Sequence, residues 1–221
     1  FDEIAHSIQR RDVANLDHNQ LGRLTEIVGN GLSPSEMDGC SPVEVVRLLH
    51  DKVFGDLFPN ASVYGDKYNE YSLCLNEILE CFPNSSFVFI HRHPDSVAKS
   101  MLDAFSDRPW VPETYSGAMS KWASWNQKWL NFREQISADR FVEIAYHQFL
   151  QDPLRTLSRV YDMLGLSTDT EALSHAIAST AKKDSRPSIN SLGAETSPEV
   201  FATARELGYE LETSWSVGLC R

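Results

Sequence analysis

Ser86-Phe-Val-Phe-Ile-His-Arg-His-Pro-Asp-Ser-Val-Ala-Lys-Ser-Met101 is the stretch on which the fold turns. Phe87 to Ile90 is a short apolar run without alternation, bounded by Pro83-Asn84-Ser85 on one side and Pro94-Asp95 on the other. Such a run suits a strand buried on both faces, as in a parallel sheet. The period then becomes helical. Pro94 presets the backbone for a first helical turn, Asp95 and Ser96 are able to cap, and Val97, Met101 and Phe105 follow at helical spacing. The chain thus leaves a buried strand, passes Arg92 at its carboxyl end and enters a helix, the place where open α/β sheets bind ligands. Arg92 offers a planar fork to phosphate there, and the Ser100 hydroxyl, further into the helix, offers a second donor. The plainer reading of Arg92 is a surface arginine at a strand end.

Moving outward, the composition fits one globular domain. The 221 residues are 42% hydrophobic and 23% charged, enough for a good core. A formal net charge of −11 argues against a general binder of nucleic acid or anionic membrane, which needs a basic field. An acidic chain binds an anion locally, through a few arginines and helix N-termini. No apolar run reaches the length of a membrane span, and no signal-peptide pattern is visible. Cys40, Cys74, Cys81 and Cys220 form no CxxC pair, so reduced thiols and a cytoplasmic location are expected. The chain begins with Phe1, and Phe1, Ile4, Ala5 and Ile8 already stand at helical spacing. The expectation is a single domain over residues 1–221 that is N-terminally incomplete.

The remaining elements follow from periodicity and punctuation. The opening helix should end near Arg10-Arg11, and residues 12–42 are turn-rich apart from an amphipathic piece at Leu21, Leu24, Ile27 and Val28. Ser41-Pro42 opens a helix with Val43, Val46, Leu49, Val53 and Phe54 on one face, started by a Ser41-to-Glu44 capping box. Ala61 to Tyr64 reads as a short strand, and Tyr71, Leu75, Ile78 and Leu79 carry a helix that stops at Phe82-Pro83. Residues 106–117 form a loop whose aromatics either cover a substrate or pin the loop to the core, the second being the commoner case. Trp122, Trp125 and Trp129 mark the packing stripe of a helix from Met119 to Ile136. Phe141 to Tyr146 is a second strand. Pro153 to Leu164 is a helix closed by Gly165, a further helix spans 170–180, Lys182 to Arg186 is a basic segment, and a last helix over 197–207 ends at Gly208. Strands alternating with helices make the chain α/β with a parallel sheet.

Several chemistries lack their signatures. There is no HExxH, no Gly-x-Ser-x-Gly elbow, no GxGxxG and no GxxxxGK[ST]. His91 and His93 flank Arg92 and are expected on opposite sides, with no third ligand to complete a zinc site, so no metal is expected.

Three segments in order resemble the sulfotransferases that use 3′-phosphoadenosine 5′-phosphosulfate, closest to the bacterial and carbohydrate-type branch. Phe82 to Ser100 resembles the family's strand–Arg–helix segment, in which the arginine and serine hold the 3′-phosphate; this implies that role for Arg92 and Ser100. Val142-Glu-Ile-Ala-Tyr146-His-Gln-Phe-Leu-Gln-Asp-Pro153, running on to Met163-Leu-Gly165, resembles the segment whose tyrosine lies near the adenine, implying that place for Tyr146. His147 stands where an acid is usual. Gly65-Asp-Lys67-Tyr resembles the element whose lysine faces the sulfuryl group, which makes Lys67 the catalytic candidate. The histidine that follows this lysine in the cytosolic small-molecule branch is here Asn69, so the base must be another group: Asp66, His91, His93 or, first in rank, an acid in a preceding segment. The likeness covers residues 60–165, and Arg205 to Tyr209 also resembles the family's ending.

The resemblance implies a three-layer parallel sheet flanked by helices, the P-loop nucleotide-hydrolase-like sulfotransferase fold. It implies transfer of a sulfuryl group to a hydroxyl or amine. The acceptor is open among a small molecule, a carbohydrate, a lipid or a polyketide-like alcohol. The family's serine- and threonine-rich loop for the 5′-phosphosulfate is expected upstream of Phe1. Sulfuryl transfer needs an in-line nucleophile, a base and positive charge on the developing anion, and none of these requires a metal. The alternative is a non-catalytic or truncated descendant that binds the nucleotide or a protein partner. A nucleotide kinase is disfavoured, because its lid arginines and Walker lysine are missing.

Overall fold

In the computed structural model the described residues are 38–167 and 196–211, with Glu36, Glu171, Leu173, Ser174 and Ile177 besides. The opening helix, the amphipathic piece at 21–28, most of the 170–180 helix and the basic segment at 182–186 lie outside them. The chain divides into two compact units, one reaching to Tyr68 and including Asn76–Asn84, the other made of Asn69–Leu75 and the residues from Ser85 on.

The first unit holds α1 (Pro42–Leu57) and nearly all of α2 (Leu75–Cys81). The Ser41 capping box forms as its sequence requires: the Ser41 hydroxyl accepts the Glu44 N–H and the Glu44 carboxylate accepts the Ser41 N–H. Arg47 on α1 donates its Nε to the Cys81 carbonyl, and its Nη2 to the Glu80 carbonyl at 2.8 Å. A cation thereby closes the carbonyl end of α2. His50, Phe54, Tyr64 and Phe82 form an aromatic cluster, with Tyr64 stacked on Phe54 at 4.9 Å. That stacking corrects the expected strand at Ala61–Tyr64. These four residues are exposed, bend at Ser62 and are in no strand, and Tyr64 gains more from an aromatic face than from an isolated edge.

The second unit carries the sheet. A 3₁₀ turn (Asn69–Leu73) is followed further on by β1 (Phe87–His91), α3 (Pro94–Ala104), α4 (Tyr115–Arg133), β2 (Phe141–Ala145), α5 (Tyr146–Gln151), α6 (Pro153–Met163) and α7 (Pro198–Glu206). β1 and β2 are parallel, with Phe87 opposite Phe141 and His91 opposite Ala145. An α/β fold with a parallel sheet, as expected, is thus what forms.

Residues two apart in a strand share a face. Phe87, Phe89, Phe141 and Glu143 all meet α4: Trp129 lies flat on Phe89 at 4.6 Å and edge-on to Phe141, while Phe132 meets Phe87 edge-on. The tryptophan stripe is therefore packing, with Trp122 and Trp129 buried. On the other face Val142 and Ile144 are buried and α6 packs against β2. Val88 and Ile90 are 43% and 60% exposed, which corrects the expectation of a strand buried on both sides. An apolar run records that a strand can be covered twice; which face is covered depends on what docks there. α7 packs on α4, tied by Arg133, which reaches Glu143 on the sheet and Glu206 on α7.

The loop before α4 is pinned rather than free. Tyr115 donates to the buried Asp95 at 2.5 Å, and Lys121 donates to the Trp110 carbonyl at 2.6 Å with its ammonium over the Trp110 ring. The helix starts four residues earlier than expected because Thr114 caps it through the Gly117 N–H. Gly165 and Gly208 close α6 and α7 with φ of +64° and +78°, the left-handed turn for which glycine is suited.

Candidate active site

The carboxyl end of β1 is fixed in three ways. Trp122 Nε1 donates to the Arg92 carbonyl at 3.1 Å, holding the strand exit against α4. Pro94 and Asp95 are buried, and Asp95 accepts from Tyr115 and from Lys99 at 3.0 Å, locking the first turn of α3. The cap is His93, whose Nδ1 accepts the Asp95 N–H at 3.3 Å, where Asp95 or Ser96 was expected. The helix already begins at Pro94, so Asp95 lies inside its first turn, where its carboxylate accepts from Lys99 and Tyr115.

Arg92 emerges from this rigid corner into a cavity of about 250 Å³. Its walls include Ser96 on α3, Tyr146 and His147 at the start of α5, and Tyr209 and Glu210 just past α7. The Arg92 guanidinium lies over the Tyr146 ring, 5.4 Å from its centre. A cation held on an aromatic face keeps its N–H edge for another partner. Arg92 Nε is buried and finds no acceptor among the described residues. An unpartnered buried donor costs about 1–3 kcal/mol, so its natural complement is an acceptor entering the cavity. The residues present therefore fit an anionic, phosphate-sized group.

The structure brings Arg92 and Tyr146 together. Ser100 is half-buried one turn further along α3, and Ser96, not Ser100, lines the cavity. Lys67 belongs to the first unit, exposed, with its N–H donating to Asp66 Oδ1 at 2.7 Å.

Sequence reasoning missed a histidine–tyrosine cluster. His91 and His93 both meet the Tyr209 ring edge-on at 5.4 Å, and His147 meets it at 5.9 Å. The two histidines share a side, contrary to the expectation above, because residues two apart in extended backbone point the same way. Burial holds His91 down to a pKa of about 4, with Glu143 opposing and His147 assisting, and burial lowers His93 as well. The folded chain thus binds these protons less readily than the unfolded chain. The resulting stability is full above about pH 6.5 and drains away as pH falls through about 4. Urea midpoints should therefore drop between pH 7 and pH 4.5 by more in the native protein than in His91→Asn. Parallel pH profiles for the two proteins would contradict this.

A model describing the Sulfotransferase family matches residues 7–170. The chain belongs to the sulfotransferase family, and a sulfotransferase role and enzyme class come with that membership. Among solved structures it is similar to the sulfotransferase domain from the curacin biosynthetic pathway, at 20% identity over 91% of this chain and 77% of that one (TM-score 0.57). It is also similar to the sulfotransferase domain from the Synechococcus PCC 7002 olefin synthase, at 20% identity over 92% and 81% (TM-score 0.61). A third likeness is to sulfotransferase STF9 from Mycobacterium avium, at 20% identity over 80% of this chain and 50% of that one (TM-score 0.58). No curated protein matches the chain. Among the described residues no helix is long and apolar enough to cross a membrane.

Proposed function

We propose that the chain transfers a sulfuryl group from 3′-phosphoadenosine 5′-phosphosulfate to an acceptor hydroxyl or amine, with Arg92 holding the 3′-phosphate and Tyr146 beside the adenine. The observation that carries the reading is the buried, unpartnered Arg92 Nε beside a cavity at the carboxyl end of β1. The nucleotide, when bound, supplies the activated sulfuryl group. The chain's own part is to bind its 3′ end and to stabilise charge. Ser96, which lines the cavity, and Ser100, one turn further along α3, are the hydroxyls assigned to the same phosphate. Small-molecule, carbohydrate, lipid and polyketide-like acceptors all suit this reading, in a cytoplasmic protein of one domain.

The test is transfer of labelled sulfuryl from the donor to a panel of phenols, sugars, lipid alcohols and polyketide-like hydroxyls. Label should appear on at least one acceptor. Tight nucleotide binding with no transfer to any of them would favour the non-catalytic descendant instead.

Lys67 is assigned to the departing bridging oxygen. The assignment rests on the likeness of Gly65-Asp-Lys67-Tyr to the family element whose lysine faces the sulfuryl group. Charge supplied mainly in the transition state raises kcat with little effect on binding. Lys67→Ala should lower kcat by at least about tenfold and leave nucleotide affinity nearly unchanged. Unchanged kcat, or a matching loss of nucleotide affinity, would return Lys67 to the solvated surface.

A further inference from the structure

Tyr209 follows the left-handed turn at Gly208, more than a hundred positions along the chain from Arg92, yet it lines the same cavity. Only 7% of it is exposed. Its ring is in contact with those of His91, His93 and His147. Edge contacts of this kind leave the ring little freedom and fix where the hydroxyl points. The hydroxyl itself is buried and has no hydrogen-bond partner among the described residues. A buried phenol without a partner is costly, and a phenylalanine would fill the same aromatic cage without that cost.

Arg92 Nε is in the same condition in the same cavity. Arg92 is also close enough for its charge to act on the Tyr209 phenol, opposing the upward push of burial on its pKa. Two orphaned donors on residues that line one cavity call for a ligand atom that only accepts. The cavity's one carboxylate, Glu210, is exposed and solvated, so it does not take that place.

We infer that the Tyr209 hydroxyl is a second donor to the phosphate that Arg92 holds, so that Tyr209 is a specificity residue for the 3′-phosphorylated nucleotide. This rests on the nucleotide reading above. It adds that selectivity for the 3′-phosphate is completed by a residue brought in by the turn after α7.

The experiment is calorimetric titration of adenosine 3′,5′-bisphosphate and of 5′-AMP into the full chain and into Tyr209→Phe, with thermal unfolding of both proteins in the absence of nucleotide. A hydrogen bond from a neutral donor to a charged acceptor corresponds to about a tenfold change in affinity or more. Tyr209→Phe should bind the bisphosphate about tenfold more weakly and 5′-AMP as before. It should also unfold about 2–4 °C higher than the native chain, because the unpartnered hydroxyl is gone. A merely structural tyrosine would give neither the nucleotide-selective loss nor the gain in stability. Unchanged bisphosphate affinity in Tyr209→Phe, equal losses for both nucleotides, or a lowered unfolding temperature would overturn the inference alone. A native chain that does not prefer the bisphosphate over 5′-AMP would overturn the nucleotide reading and this inference together.

Discussion

Trp129→Ala should remove a large fraction of the stability of the second unit. Trp129 is 2% exposed and forms the contact surface between α4 and the sheet. Its ring lies within 8° of parallel to Phe89 and also meets Phe87, Phe132 and Phe141. Its indole N–H donates to Glu143 at 2.6 Å, so truncation opens a cavity and removes one of two donors from that carboxylate. Large-to-small changes at such an aromatic cost about 3–5 kcal/mol. Against a typical total of about 5–15 kcal/mol, that is a large fraction. The urea midpoint should fall steeply, whereas Trp129→Phe, which keeps the stacked ring, should lose much less. A loss under about 1 kcal/mol for the alanine variant would mean that α4 does not organise this sheet.

The second large effect falls on Arg92. It is rigidly presented: its carbonyl is held by Trp122, its guanidinium rests on Tyr146, and the helix that follows is locked through Asp95. A pre-positioned guanidinium loses little entropy on meeting a phosphate. Arg92→Ala should therefore cost about 1.5–3 kcal/mol of affinity for adenosine 3′,5′-bisphosphate, a loss of about tenfold to a hundredfold or more. Arg92→Lys should recover only part of this, since a point charge cannot reproduce the fork. The Trp122 bond to the backbone survives both changes, so the fold should be intact. Full affinity in Arg92→Ala would move the phosphate elsewhere.

The parts of this molecule that could be read from the sequence are those set by neighbours along the chain. Pro94 after an apolar run announces the strand-to-helix turn, and Arg92 is placed by that turn alone. The Ser41–Glu44 box and the glycines at 165 and 208 state helix ends locally, and each holds. Tyr146, expected as the last residue of the second strand, instead opens α5 directly after β2, so its position still follows from the strand before it. What could not be read depends on distant partners. Ile90 looks like a core residue, but its burial depends on what covers that face of the sheet. Ala61–Tyr64 has strand propensity, yet Phe54 offers Tyr64 a better contact. Asp95, expected as a cap, instead sits inside a helix that begins at Pro94 and is drawn to Tyr115, twenty positions later. Tyr209 reaches the Arg92 cavity because α7 docks on α4. A glycine C-cap followed by an aromatic was its only local sign.

The central claim, that this sulfotransferase-family chain recognises a 3′-phosphorylated adenine nucleotide through the end of β1, is tested most directly by one comparison. Adenosine 3′,5′-bisphosphate and 5′-AMP are titrated into the same preparation at the same ionic strength, and their dissociation constants are compared. The two differ only in the 3′-phosphate, so their ratio isolates the group assigned to Arg92. The bisphosphate should bind at least about tenfold more tightly, as a charge-assisted hydrogen bond requires; equal affinities would contradict the account.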